Sequence, residues 1–194
     1  MLVIAGKPKS GKSHLLKGIY HGWRGKKKAA FIDLKTLTKA DSKSVGATFR
    51  LAAEAGLVCI DDLDDHAVNK KTLDNIFFLF NSLVNNNACL AVAMKTSPAK
   101  CPQLPDYLSS RLLSGMVITL KKPDETEKKR ILVKIAADKS ITLTPNAAQY
   151  ILEHSSRSVG DLLTFIDQLE SNLTPEQKRI GLQLLKRVIN SISV

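Results

Sequence analysis

The chain has 194 residues, 44% of them hydrophobic, which is enough to bury a sizeable core; general disorder is excluded, and one large domain or a domain with a small appendage is expected. Its 29 Lys+Arg against 18 Asp+Glu give a net charge of +11, pointing to an acidic partner such as a nucleotide, nucleic acid or an acidic protein face. Three cysteines without a C-x-x-C pair support neither a disulfide framework nor a zinc site, and no apolar run reaches the roughly 20 residues of a membrane span, so a reduced, cytoplasmic setting without a membrane partner is expected.

In chain order, "LVIA" (2–5) predicts a strand that runs into the glycine loop "GKPKSGKS" and then the helical segment "SHLLKGIYHGW". Strands follow at "AAFIDL" (29–34), "GLVCID" (56–61), "ACLAVAM" (88–94) and "MVITL" (116–120). Helical spacing between them at "KTLDNIFFLFNSLVNN" and "PDYLSSRLLS" makes this an α/β pattern, a five-stranded mainly parallel sheet covered by helices. After "LKKP" the strand signals stop. "DETE" (124–127), "TPNAAQYILEHS", "SVGD" (158–161) and "TPEQ" (174–177) each carry a helix-start signature, so an all-α lid is expected behind the sheet. The boundary falls at residues 1–122 and 123–194. Residues 1–121 carry 18 basic and 9 acidic side chains and residues 122–194 carry 11 and 9, so the positive charge belongs to the part with the glycine loop.

Gly6, Gly11, Lys12 and Ser13 satisfy G-x-x-x-x-G-K-[ST], between an apolar strand and a helix. Backbone N–H groups of such a loop wrap phosphates at a helix N-terminus, where the dipole favours negative charge. The candidate contacts are Gly6, Lys7, Pro8, Lys9, Ser10, Gly11, Lys12, Ser13 and His14; Lys12 would reach the β- and γ-phosphates of ATP or ADP, and the Ser13 hydroxyl would ligate Mg2+. The alternative is a glycine turn that happens to contain a lysine. In "LVCIDDLDD" (57–65), four apolar residues end in paired carboxylates, so a buried strand would deliver Asp61 toward the metal and Asp62 toward an attacking water. Acids after a strand also serve as a solvated loop or a helix start, and Asp64 and Asp65 are assigned to the loop.

With the phosphate loop, "LVCIDD", "LPDYLSSRLLSG", "LKKPDETEK" and the helical tail with "FIDQLESNL" in this order, the sequence resembles the AAA+ ATPases of the DnaA branch, and within it the small Hda-type regulators. The resemblance covers nearly the whole chain. It implies that Arg111 of "SRL" is a finger that stabilises charge on the γ-phosphate held by a neighbouring subunit; the competing reading is that Arg111 complements the dipole at the end of its helix. It also implies the partners: the ATP-loaded initiator DnaA, whose hydrolysis would be promoted, a DNA-loaded sliding clamp, and a homo-oligomer. The chain stops after "LQLLKRVINSISV", where initiators continue into a helix-turn-helix domain, so origin recognition in its own right is not expected.

The pattern departs from the family at three places. Met1 opens directly into the phosphate-loop strand, so the preceding adenine-holding and clamp-binding segment is not expected, and "QLESNL" lacks the aromatic end of a clamp motif. At the sensor position "AMKTSP" places Lys95 where the family has an acid and leaves Thr96 and Ser97 as substitutes, with Thr96 the candidate phosphate contact. A second sensor arginine is expected near "SVGDLLTF", where Gly160 stands; Arg157, just ahead, either substitutes for it or is solvated. A site that keeps its phosphate cradle while losing fixed charges should bind nucleotide and hydrolyse it weakly.

"WRGKKKAA" (23–30) reads as a solvated loop or, with Trp23, as a contact to nucleic-acid phosphates. "IFFLFNSLV" reads as core, Cys59 and Cys89 as buried strand residues, and the histidines have no metal-ligand spacing. The rivals to a replication regulator are a helicase-loader-like ATPase on single-stranded DNA and a docking module with a degenerate nucleotide site.

Overall fold

The computed structural model describes residues 1–25, 27–37, 42–64, 70–154, 158–174 and 178–192. The chain divides into two compact units, Met1–Lys121 and Lys122–Val194. Among the described residues no helix is long and apolar enough to cross a membrane.

The first unit runs β1 (Leu2–Gly6), α1 (Lys12–Gly22), β2 (Ala29–Asp33), α2 (Leu34–Leu37), α3 (Ser42–Ala52), β3 (Leu57–Asp61), α4 (Lys70–Asn85), β4 (Cys89–Met94), a 3-10 turn (Pro98–Lys100), α5 (Asp106–Leu113) and β5 (Met116–Leu120). Its strands stand in the order β2-β3-β4-β1-β5, and every pairing is parallel. The strands read as continuous apolar runs because both faces are buried. Leu2 and Ile4, Leu57 and Cys59, and Ala91 and Ala93 join Leu16 of α1 on one face. Val3, Val58, Ile60, Val92 and Met94 point the other way and pack with Ile76, Leu79 and Leu83 of α4 and Leu108 and Leu112 of α5. Placing alanines on the α1 side of β4 leaves room for that helix to lie on the strand. Burying Leu16 completely contributes about 1.5–3 kcal/mol, which anchors the helix whose first turn follows the glycine loop.

Parallel strands direct the loops after β1, β3 and β4 to one edge of the sheet. Because β1 lies between β4 and β5 while the chain leaves it for the far edge strand β2, a crevice opens there, the place where open α/β sheets take ligands.

The second unit contains α6 (Glu125–Asp138), β6 (Thr142–Leu143), α7 (Pro145–His154), α8 (Val159–Ser171), β7 (Arg179–Ile180) and α9 (Leu182–Ile192). Asp124 caps α6 in a reciprocal capping box with Glu127, at 2.7 and 2.9 Å. Ser158 caps α8 by accepting from the Asp161 N–H at 3.2 Å. Leu132, Ala136, Ala147, Ile151, Leu162, Ile166 and Leu185 form a separate apolar core.

Three details differ from the sequence reading. Of "TPEQ" (174–177), residues 175–177 lie outside the described residues, and the final helix starts at Leu182, after a two-residue parallel pairing of β6 with β7 that ties its start to the end of α6. Cys89 is exposed, because it is the first residue of β4 and lies beyond the cover of the helices, whereas Cys59 is fully buried and burial pushes its thiol up to about 11. The stripe on α4 is core on one side only: Ile76, Leu79, Phe80 and Leu83 are buried, while Phe78 and Val84 are 67% and 54% exposed, because a run of consecutive apolar residues exceeds one face of a helix.

Candidate nucleotide-binding site

The glycine loop leaves β1 at Gly6 and enters α1 at Lys12. A Cβ added to Gly6 would lie 2.7 Å from the Leu120 carbonyl oxygen and 2.7 Å from Ser10 Oγ, so no other residue fits where the loop folds back on β5. Gly11, with φ of 91°, occupies the left-handed region as the cap residue of α1, and Lys9 takes the same region at 64° despite its side chain. With no side-chain cap and no acid in the first turn, the leading N–H groups of α1 have no partner within the helix, as an anion site at a helix N-terminus requires. Ser10 Oγ is buried without a hydrogen-bond partner. The Lys12 side chain is buried and its Nζ donates to the Lys7 carbonyl at 3.1 Å, which curls the ammonium over the loop. His14, one residue past Ser13, is exposed on the helix surface.

Beside the loop, β3 ends in Asp61, which is buried and hydrogen-bonded by the Ser13 side chain. Burial raises its pKa above the ordinary carboxylate range; the Ser13 hydrogen bond opposes this, the neighbouring Asp62 charge adds to it, the Asp62 N–H at 3.0 Å opposes it, and Asp33 adds a further rise. Asp33 ends β2 in register with Asp61 and caps α2 by accepting from the Lys35 and Thr36 N–H groups at 3.0 and 3.3 Å. A cation beside Ser13 would relieve the burial and repulsion at Asp61. The donor set, a hydroxyl and a carboxylate with a phosphate to come, is the hard-oxygen chemistry of Mg2+, and these residues fit it. Among the described residues no cluster of three or more His, Cys, Asp or Glu could hold a metal by protein ligands alone, so the fit depends on phosphate oxygens. Asp62 adopts φ of 55°, a left-handed backbone at the mouth of the site.

The sequence reading missed Asp64. This side chain is only 9% exposed and reaches across to the loop after β4, where its Oδ2 accepts from the Lys95 N–H at 2.7 Å and the Thr96 N–H at 3.1 Å, with the Thr96 hydroxyl at 3.5 Å. The only signal was a third acid three residues past a strand end, which sequence does not distinguish from a solvated loop. Thr96 itself is exposed at the strand edge.

Arg111 stands apart from these groups. It sits in the last turn of α5, exposed, with its Cζ 5.5 Å from the centre of the Phe80 ring. The turn that follows meets Met1 at Gly115, where β1 begins beside Met116. Arg111 therefore lies at the amino edge of the sheet and the glycine loop at the carboxyl edge, about 15 Å of strand away. Arg157 lies outside the described residues, and Gly160 is exposed with nothing closer than 3.8 Å to an added Cβ.

Residues 1–119 match the family model of the bacterial DnaA ATPase domain, and residues 125–189 match that of the Hda lid domain. The chromosomal replication initiator DnaA of Geobacter metallireducens is 26% identical over 201 aligned positions, covering 100% of this chain and 45% of the relative, so the chain spans less than half the length of that initiator. Domain III of Thermotoga maritima DnaA superposes with a TM-score of 0.76 at 19% identity, covering 98% of this chain and 83% of that chain. A DnaA initiator bound to AMPPCP and single-stranded DNA gives a TM-score of 0.72 at 18% identity, over 98% of this chain and 58% of the other. The two family matches adjoin and follow the same order as the two units, so the chain belongs to the DnaA branch of the AAA+ proteins, with a lid of the Hda type.

Proposed function

We propose that this chain is an Hda-like, nucleotide-binding regulator of replication initiation that docks on ATP-bound DnaA and promotes hydrolysis of its ATP through Arg111. The observation that carries the reading is the separation within the first unit: the phosphate loop is at one edge of the sheet and Arg111 at the other. An arginine so placed can act on phosphate held by a second chain but not on its own. Phe80 supports the guanidinium, and beside it a cavity of about 240 Å³ lined by Met1, Phe80, Val84 and Gly115 offers a partner side chain a seat. Met116 and Leu113, 67% and 42% exposed, add apolar area for docking.

In the chain's own site, the loop N–H groups and Lys12 would bind and orient the phosphates of ATP or ADP, while Ser13 and Asp61 would hold Mg2+. Bound magnesium supplies charge neutralisation on the phosphate oxygens. Asp62 would orient a water, and Thr96 would contact the terminal phosphate. Gly160 carries no charge where the family resemblance places a sensor arginine, which supports weak hydrolysis by this chain alone. Arg111→Ala and Arg111→Lys should reduce stimulated hydrolysis of DnaA-bound ATP by about 10³-fold while leaving ADP binding by this chain within about twofold of the parent. Stimulation that survives both substitutions would sink the finger.

A helicase-loader-like reading has one observation of its own. Tyr20, His21, Trp23, Lys27 and Lys28 line an open basin, with the Trp23 Nε1–H donating to the Lys27 carbonyl at 2.8 Å, which combines aromatic and basic groups as single-stranded DNA requires. Single-stranded DNA binding with a steep salt slope would favour it.

A further inference from the structure

We propose that Asp64 is a positioning residue for terminal-phosphate recognition: it locks the loop after β4 so that Thr96 is presented to the γ-phosphate. The inference rests on the nucleotide-binding reading above and adds a residue to which that reading assigns no role. β4 lies between β1 and β3, with Ala5 opposite Met94 and Ile60 opposite Val92, so the loop leaving β4 emerges between the phosphate loop and the Asp61–Asp62 turn. The turn after β3 is tied to β4 by the Leu63 N–H, which donates to the Ala93 carbonyl at 3.1 Å. Asp64 extends that tie by one step, since a single carboxylate oxygen takes two successive N–H groups, of Lys95 and Thr96. Charge-assisted bonds to the carboxylate of a residue only 9% exposed hold a loop far more firmly than solvated contacts do. The Thr96 hydroxyl, at 3.5 Å, is at the limit of a bond and is free to turn toward an incoming phosphate. The second oxygen, Oδ1, is buried without a partner, a cost that a purely structural aspartate would be expected to avoid.

The experiment measures binding of a non-hydrolysable ATP analogue and of ADP by the parent, Asp64→Ala, Asp64→Asn, Thr96→Ala and the Asp64→Ala/Thr96→Ala double variant. Asp64→Ala should change the analogue-to-ADP affinity ratio by about fivefold, as should Thr96→Ala, with the double variant no worse than either. ADP affinity should stay within about twofold, and Asp64→Asn, which keeps an acceptor, should retain most of the parent ratio. Amide exchange at Lys95 and Thr96 should quicken in Asp64→Ala, a readout that needs no nucleotide. An unchanged ratio, or losses that simply add in the double variant, would overturn the proposal while leaving nucleotide binding intact. A parent that binds neither nucleotide would overturn both.

Discussion

The two units of the chain solve the same packing problem with different consequences. In the first, strands buried on both faces hold three loops at one sheet edge, so four of its five described buried polar residues, Ser10, Lys12, Asp61 and Asp64, gather there, the fifth being Thr72 of α4. In the second, helices around one core keep their polar groups at the ends, where Asp124 and Ser158 serve as caps. Ser158 alone among its described side chains is both polar and buried. The charge follows the same division, with +9 from 18 basic and 9 acidic residues before Lys122 and +2 from 11 and 9 afterwards. A parallel sheet imports unsatisfied polar groups to its carboxyl edge and so makes a site; a helical bundle satisfies its own termini and makes a scaffold.

The largest test of this contrast is Lys12→Ala. Removing the buried ammonium that would face phosphate in the proposed site should weaken ATP and ADP at least about tenfold in equilibrium binding, and the unfolding temperature without nucleotide should barely fall. A large loss of stability in the absence of nucleotide would instead make Lys12 part of the fold. Next comes a matched pair of core truncations, Leu16→Ala under the sheet and Ile166→Ala in the lid, each fully buried and each expected to cost about 2–5 kcal/mol. Limited proteolysis should then cut first in the unit that carries the change. Cleavage spread evenly over both units would mean that they unfold as one, and the contrast would fail.

The smallest effect concerns Asp61. Because its folded pKa is raised above the unfolded value, the folded state holds the proton more tightly, and stability falls as pH rises through the window between the two values. Asp61→Asn should therefore raise the unfolding temperature at neutral pH by about 2 °C, with the gain vanishing in acid, and at the same time abolish the Mg2+ dependence of nucleotide binding. A variant less stable at neutral pH would show that the Ser13 hydrogen bond outweighs the burial of the charge.

The parts of this protein that were legible in its sequence are those fixed by local chemistry. Five apolar runs with breakers between them specify buried parallel strands, because only burial on both faces tolerates such runs. The spacing from Gly6 to Ser13 specifies a loop in which a Cβ at Gly6 would clash and Gly11 must be left-handed. Capping at Asp124 and Ser158 could be read because a cap acts on residues two or three positions away. What tertiary structure decided is what depends on groups distant in the chain. Asp64 meets Thr96 only because β3 and β4 are neighbours, so 32 residues of separation hide the contact from any local pattern. Phe78 and Val84 are exposed because α4 presents one face to the sheet, and no periodicity within an all-apolar run says which. The placement of Arg111 at the edge opposite the phosphate loop follows from the direction of β1 and β5, which no local pattern around a helix-terminal arginine carries.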